Sequence, residues 1–300
     1  MPPSCKVTAE YMSTSPRLQR YFAGVFLIEI EVEGDGFIED FMFPDWATLR
    51  FNHVPLVGGA TRGGQALGKA TFSVSGPRTQ EAYLRTGTIR QWGVLLHPLG
   101  WALLVGAPAH EYANRLADGM TDPAFAKFRP LAETLFGPEP DRQGELDRLT
   151  GFFDGLEPLR DPSARSIAEV YEALYDPEID TVPELVERSG VSRRTLERLC
   201  QRAFGFSPKT LLRRQRFLRS LTAFTVDPTL RWMGAMDAAY HDQAQFVRDF
   251  REFMGMTPSE YGQLSKPVVE PVIRERTRYA REVARELKEG ASWHGIKPDL

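Results

Sequence analysis

The chain changes its hydrophobic rhythm part-way along. In "VFLIEIEVEG" (25–34), apolar and acidic positions alternate, Ile28, Ile30 and Val32 against Glu29, Glu31 and Glu33. A period of two predicts a strand with one buried face. Segments of strand length follow at 37–43, 47–52, 70–76, 79–85 and 88–97, separated by "EGDG", "FPDW", "GGATRGGQALG", "SGP" and "TG". Short strands so punctuated predict an antiparallel barrel or sandwich. After Pro98 the texture turns helical: "LGWALLVG", "HEYANRLADG", "PAFAKFRPLAETLFG" and "QGELDRLTGFFDGL" read as helices divided by Gly or Pro. Leu146, Leu149, Phe152 and Phe153 form one apolar helix face. "EPLRDPSAR" (157–165) is the linker candidate, and the short helix "SIAEVYEALYD" follows it.

The next stretch, "TVPELVERSGVSRRTLERLCQRAFGFSP", divides into two helices. "PELVERS" starts with Pro183 in its first turn, where a missing N–H costs nothing. Gly190 suits a left-handed turn, Ser192 an N-cap, and Gly205 the end of the second helix. Two helices across a three- to four-residue turn containing Gly make a helix-turn-helix pattern. On the second helix Leu196, Leu199, Cys200 and Ala203 share an inward face, and Arg194, Glu197, Arg198 and Gln201 the outward one. The pattern recurs in "TLRWMGAMDAAYHDQAQFVRDFREFMGMTPSEY", and "KTLLRRQRFLRSLTAF" between the copies reads as a continuous helix.

Charge sharpens this picture. The 300 residues carry a net charge of only -3, but residues 1–180 hold 16 Lys and Arg against 25 acids, and residues 181–300 hold 21 against 15. Ten cations and one acid fall within 188–219; three cations and six acids fall within 227–263. An acidic body with a basic tail predicts a partner that is a polyanion. Arg can bond guanine O6 and N7 together, and Glu can accept from cytosine N4–H. Arg193, Arg202, Lys209, Arg213, Arg214 and Arg216 are expected on phosphates.

The residues 238–251, "AAYHDQAQFVRDFR", followed by "GMTPSEY" (255–261), resemble the AraC/XylS family of transcription regulators, and the likeness extends over 178–263. Ala239 stands where the family has Gly at the turn, and Gln245 where it has Ser. A left-handed turn at Ala239 would be costly. The resemblance implies two recognition helices in successive major-groove segments, about one helical turn or 34 Å apart. By positional match the base readers are Arg194, Glu197 and Arg198 in the first unit and Gln243, Ala244, Val247 and Arg248 in the second. It also implies a cupin-like β-barrel sensor ahead of the DNA-binding part, with a small-molecule effector of unknown identity.

The expected class is therefore α+β. An N-terminal antiparallel β-barrel, cupin-like and with helices, spans 1–160 as a sensor or dimerisation domain. A linker with a short helix covers 161–177. An all-α domain with two helix-turn-helix units joined by a long helix covers 178–264, and a helical extension 265–300. The expected function is a sequence-specific regulator of transcription that binds double-stranded DNA under control of a small molecule. The alternative is a ligand- or protein-binding module with weak or lost DNA binding. RNA polymerase and a second copy of the chain are further candidate partners.

Other chemistry has little support. His53, His97, His110, His241 and His294 give no HxH or HxxxH pair, so neither a metal site nor another cofactor is expected. "GGATRGGQALG" lacks the endings of a phosphate loop and reads as a mobile connection. GxSxG and HExxH are absent, and catalysis is not expected. Cys5 and Cys200, far apart, suit a reducing cytoplasm. No apolar run approaches 18 residues and no leader is evident, so no membrane span is expected. Trp46, Phe51, Phe72, Tyr83, Trp92 and Trp101 serve as barrel core or line an effector pocket, for which Trp46, Phe51, Trp92 and Trp101 are the candidates. In the tail, Val272, Ile273, Tyr279, Ala280, Val283 and Leu287 make a narrow apolar stripe on a charged helix, suited to docking on the protein itself or on a second copy.

Overall fold

Nine strands form among the first 118 residues: β1 (Cys5–Met12), β2 (Phe22–Val32), β3 (Ile38–Met42), β4 (Thr48–Leu56), β5 (Gly58–Thr61), β6 (Ala70–Ser75), β7 (Ala82–Thr86), β8 (Ile89–Leu96) and β9 (Leu116–Asp118). The computed structural model describes residues 4–288. The strands form two antiparallel sheets, a six-stranded one in the order β1-β2-β8-β4-β6-β9 and a three-stranded one in the order β3-β7-β5. The expected barrel is thus two facing sheets, without a hydrogen-bonded closure between them among the described residues.

Two further expectations need correction, and one strand was not foreseen. "HEYANRLADG" is not a helix but a 3-10 turn at Ala109–Glu111 followed by β9, which pairs with β6. The Gly-rich run is no mobile connection: it contains β5, and Arg62 beyond it donates to the carbonyls of Arg251 (3.0 Å) and Glu252. Strand β1 is not among the expected strands, although Val7, Ala9 and Tyr11 alternate with Thr8 and Glu10; it pairs with β2 from Val25 to Val32.

Helices follow the sheets: α1 (Arg142–Asp154), α2 (Ala164–Leu174), α3 (Val182–Ser189), α4 (Arg193–Leu199, continued as a π-turn to Phe204), α5 (Pro208–Val226), α6 (Arg231–Ala235), α7 (Gln243–Met254), α8 (Pro258–Gln263) and α9 (Val269–Lys288). Strand alternation sends each residue of the large sheet to one of two sides. Arg90, Trp92 and Phe51 face α1 and the turns before it. There the buried Glu145 accepts from Trp92 Nε1 at 2.6 Å and pairs with Arg90 at 2.7 Å. Phe51 stacks on Phe72 with centroids 4.6 Å apart, and Phe125 and Phe128 pack edge-on against Phe72. Ile28, Ile30, Arg50, Gln91 and Leu95 face the small sheet instead.

The helical half is not a separate lobe. Ile167, Val170 and Leu174 of α2, Leu185 of α3, Leu196 and Leu199 of α4, and Leu211 of α5 belong to one continuous apolar core with the sheets. The segment expected as a linker, 161–177, is therefore largely the packed helix α2. A second cluster gathers Phe217 and Leu221 of α5, Phe246, Phe250 and Phe253 of α7, Tyr261 of α8, Val269 and Ile273 of α9, and Phe43 from the sheets. Burial on this scale, at about 25 cal/mol per Å² of apolar surface, holds both helix-turn-helix units to the β half. Of the tail stripe, Ile273 and Val283 are buried, while the Leu287 side chain lies outside the described residues, as does His294.

Candidate nucleic-acid interface

The first helix pair is built as its residues dictate. Thr181 and Glu184 form a capping box at the start of α3, and Pro183 sits in its first turn. Gly190 ends the helix with φ 68°, a left-handed value for which only glycine carries no penalty. Ser192 Oγ then accepts from the Thr195 N–H, and α4 begins. Leu196, Leu199, Cys200 and Ala203 are buried; Arg194, Glu197, Arg198 and Gln201 are exposed. Burial pushes the Cys200 thiol up to about 12, so it stays an inert core group.

The second pair replaces a left-handed residue with a side chain. Among the described non-glycine residues only Asn114 and Arg231 have positive φ, so Ala239 pays no such cost. Instead the Asp237 carboxylate accepts from the Ala239 N–H at 2.9 Å and holds the turn. Asp242 caps α7 through the Gln245 N–H at 2.6 Å, and the Gln245 side chain returns to the His241 N–H at 3.2 Å. Gln245 in place of the family's Ser thus ties the first turn of α7 back to the residue before its cap. Gln243, Ala244 and Arg248 are exposed on this helix; Val247 is half-buried.

The phosphate set divides. Lys209 and Arg193 are exposed, the latter 3.2 Å from Glu197. Arg202 is held by Asp161 at 2.5 Å. Arg213 bridges Asp249 (2.6 Å) and Glu252 (2.5 Å); burial opposes its charge, but the two carboxylates outweigh burial and raise its pKa. Arg214 is fully buried with its guanidinium 3.7 Å from the Trp46 ring centroid. Arg216 lies over Tyr240 and within 3.7 Å of Asp249. The expectation that Arg202, Arg213, Arg214 and Arg216 lie open to phosphates is therefore corrected: each is engaged by a partner within the protein. With Arg219 on Asp237 at 2.5 Å, five of the ten cations in 188–219 are structural. Arg188, Arg193, Arg194, Arg198 and Lys209 remain at the surface.

The effector-pocket expectation also changes. Phe51, Trp92 and Trp101 are core on the helix-covered side of the sheet, each at most 1% exposed. The enclosed space lies on the other side, between the sheets, and α9 closes it. It is lined mainly by apolar side chains, with Arg50, Arg78, Gln91, Asp45 and Arg276 among them. Trp46 borders a second space beside it, with Tyr171, Tyr175, Leu218 and α9. Burial lowers the Arg50 pKa to about 10 and that of Arg78, which also feels Arg50, to about 9. The sequence carried a signal for this on β8, where the polar Gln91 is in phase with the apolar Ile89 and Leu95.

Residues 185–263 match the family described as a helix-turn-helix domain. No curated protein matches the chain. Among solved structures it is similar to ToxT from Vibrio cholerae, at 11% identity and a TM-score of 0.43, covering 86% of this chain and 98% of that one. ToxT from Vibrio cholerae O395 bound to (E)-4-(8-methylnaphthalen-1-yl)but-3-enoic acid gives 11% identity and 0.41, over 86% and 98%. Unsaturated fatty acid bound wild-type ToxT from Vibrio cholerae strain SCE256 gives 11% and 0.41, over 86% and 95%. Similarity at that level assigns neither ligand nor activity to this chain. No helix among the described residues is long and apolar enough to cross a membrane. The sequence match and the two capped helix pairs make the segment 185–263 an AraC-type helix-turn-helix domain.

Proposed function

We propose that this protein is a sequence-specific, double-stranded-DNA-binding regulator of transcription, controlled by a small molecule held in its N-terminal half. One observation carries the reading. Each helix-turn-helix unit presents the first turns of a capped helix with exposed side chains, Arg194, Glu197 and Arg198 in one and Gln243, Ala244 and Arg248 in the other, over a buried apolar face. That is the geometry by which a helix reads base edges in a major groove. Val247, half-buried, is the weakest of the assigned readers. Such a protein works in the cytoplasm, with RNA polymerase and a second copy of itself as further partners, and it needs neither cofactor nor catalysis.

The test starts from a random-sequence duplex library, since the operator is unknown. The full-length protein should enrich a defined motif. Arg194→Ala and Arg198→Ala should each weaken binding to it by about 1–3 kcal/mol and relax preference at one base pair. Wild-type affinity in both variants would refute the assignment. A second reading, a regulatory module with weak or lost DNA binding, is favoured by the acidity of the second unit, where Asp249 and Glu252 neutralise Arg213. It predicts no enrichment at all.

A further inference from the structure

The space between the sheets is apolar on most of its wall, but more positive than negative groups border it. Three arginines, Arg50, Arg78 and Arg276, border it, against one carboxylate, Asp45. Asp45 is engaged with Arg276 at 2.8 Å. Arg78 is 1% exposed and donates to Ser75 Oγ at 2.9 Å and to two backbone carbonyls, of Gln80 (3.3 Å) and Met42 (3.5 Å). Arg50 has one hydrogen bond among the described residues, to Met42 Sδ at 3.6 Å, a poor acceptor. Arg50 is half-buried and Arg78 fully buried, so neither charge is fully solvated, and Arg50 has donors to spare. The burial that lowers both pKa values leaves the two groups cationic at neutral pH. An arginine fork of this kind, surrounded by aliphatic side chains, fits a planar anion on an apolar body.

The outer wall is α9. Val269, Val272, Ile273 and Arg276 close the space, and the Asp40 carboxylate on β3 accepts from the N–H groups of Val268 and Val269, both at 2.8 Å, pinning the start of α9 to the small sheet. The same helix packs Val269 and Ile273 in one cluster with Phe217 and Leu221 of α5, and Arg274 donates to the Val226 carbonyl at 3.2 Å. α5 is the helix that joins the two helix-turn-helix units. The free volume is about 70 Å³, with a neighbouring space of about 70 Å³ behind it. Tyr11, Phe43, Asp45, Ile273 and Arg276 border both. Taken together the two adjoining spaces are close in volume to a cavity that admits a benzene ring, about 150 Å³.

We propose that this space binds a small organic anion, its charged end on Arg50 and Arg78 and its apolar body under α9, and that α9 carries occupancy to α5. The inference rests on the N-terminal half being a sensor and names the ligand class and the route. It departs from the aromatic side of the sheet where an effector was first expected.

The probe is hexanoate, set against hexanamide, which has the same shape without the charge. Titrated into the full-length protein and followed by calorimetry, hexanoate should bind at least tenfold more tightly than hexanamide. Arg50→Met should abolish that preference. Leu84→Trp, which fills the space from β7 while leaving every arginine in place, should abolish binding of both, with thermal unfolding as the check that each variant is folded. Hydrogen exchange should show altered protection over 269–276 and over 217–221 when hexanoate is bound. No binding of hexanoate, or equal binding of acid and amide, or full binding in Leu84→Trp, would overturn the site. Binding with unchanged exchange in α9 would overturn the route. None of these measurements contains DNA, so a failure here is separable from failure of the DNA-binding assignment.

Discussion

The Arg214 guanidinium lies 3.7 Å from the centroid of the Trp46 ring, with Arg214 fully buried and Trp46 2% exposed. One residue belongs to the helix joining the two helix-turn-helix units, the other to the turn between β3 and β4. Arg214 also donates to the Arg78 carbonyl at 3.2 Å. Trp46 in turn packs edge-on against Phe204 at the end of α4. A cation over an indole, shielded from water, contributes about 2 kcal/mol. Arg214→Ala should therefore destabilise the protein by about 2–4 kcal/mol, since it also leaves a cavity and frees a buried carbonyl. Trp46→Leu should do comparable damage. Chemical denaturation measures both; a loss below about 0.5 kcal/mol for Arg214→Ala would show that the contact does not hold the two parts together.

The division of cations between surface and interior predicts how DNA affinity responds to salt. Each phosphate neutralised contributes about 0.9 to the slope of log affinity against log salt. Arg193→Gln with Lys209→Gln should flatten that slope by up to about 2, because both side chains are exposed. Arg216→Gln should leave the slope unchanged while lowering stability, because Asp249 and Tyr240 then lose one of their partners. Binding measured across a salt series distinguishes the two; a flatter slope for Arg216→Gln would mean that the residue leaves its pocket to meet DNA.

His97 gives a pH dependence. It is 3% exposed, stacked edge-on against Tyr171 at 4.5 Å, and burial lowers its pKa from 6.5 to about 3. The unfolded chain then binds a proton that the folded chain refuses, so stability rises with pH between about 3 and 6.5. The contribution is complete above 6.5 and is lost as pH falls towards 3. The slope is at most about 1.4 kcal/mol per pH unit. In His97→Gln the fall in stability from pH 6.5 to 4 should be shallower than in the wild type. Parallel curves would assign the acid sensitivity to other groups.

Asp40 offers a test of how α9 is seated. Its carboxylate accepts from the first N–H groups of that helix, Val268 and Val269, and from the Phe41 N–H at 2.7 Å. Removing such a cap costs about 0.5–2 kcal/mol. Asp40→Ala should raise proteolytic cleavage and hydrogen exchange within 265–283 before any global unfolding. Protection equal to that of the wild type would show that apolar packing alone holds α9.

Legibility in the sequence followed the range of the interactions. Ser192, Gly190 and Gly205 mark helix ends because capping and left-handed turns depend on residues a few positions apart. The polar face of α4 was readable for the same reason: helical period assigns Arg194, Glu197 and Arg198 to one side and Leu196 and Leu199 to the other whatever surrounds them. Strand β2 declared its buried face through Ile28 and Ile30. By contrast, Arg193 and Arg214 look alike in a charge run, and only the approach of Trp46, 168 positions away, makes the second internal. The same holds for Arg213 and Arg216, which meet Asp249 across the gap between the two units. The aromatic residues Phe51, Trp92 and Trp101 were recognisable as buried, but which side of the sheet stays hollow depends on where α1 and α9 dock. Local periodicity determined the helices, most of the strands, the caps and the exposed recognition face. Burial of charge, the position of the cavity and its closure by the C-terminal helix were decided by contacts between distant segments, because desolvation depends on everything packed around a group and not on its neighbours in the chain.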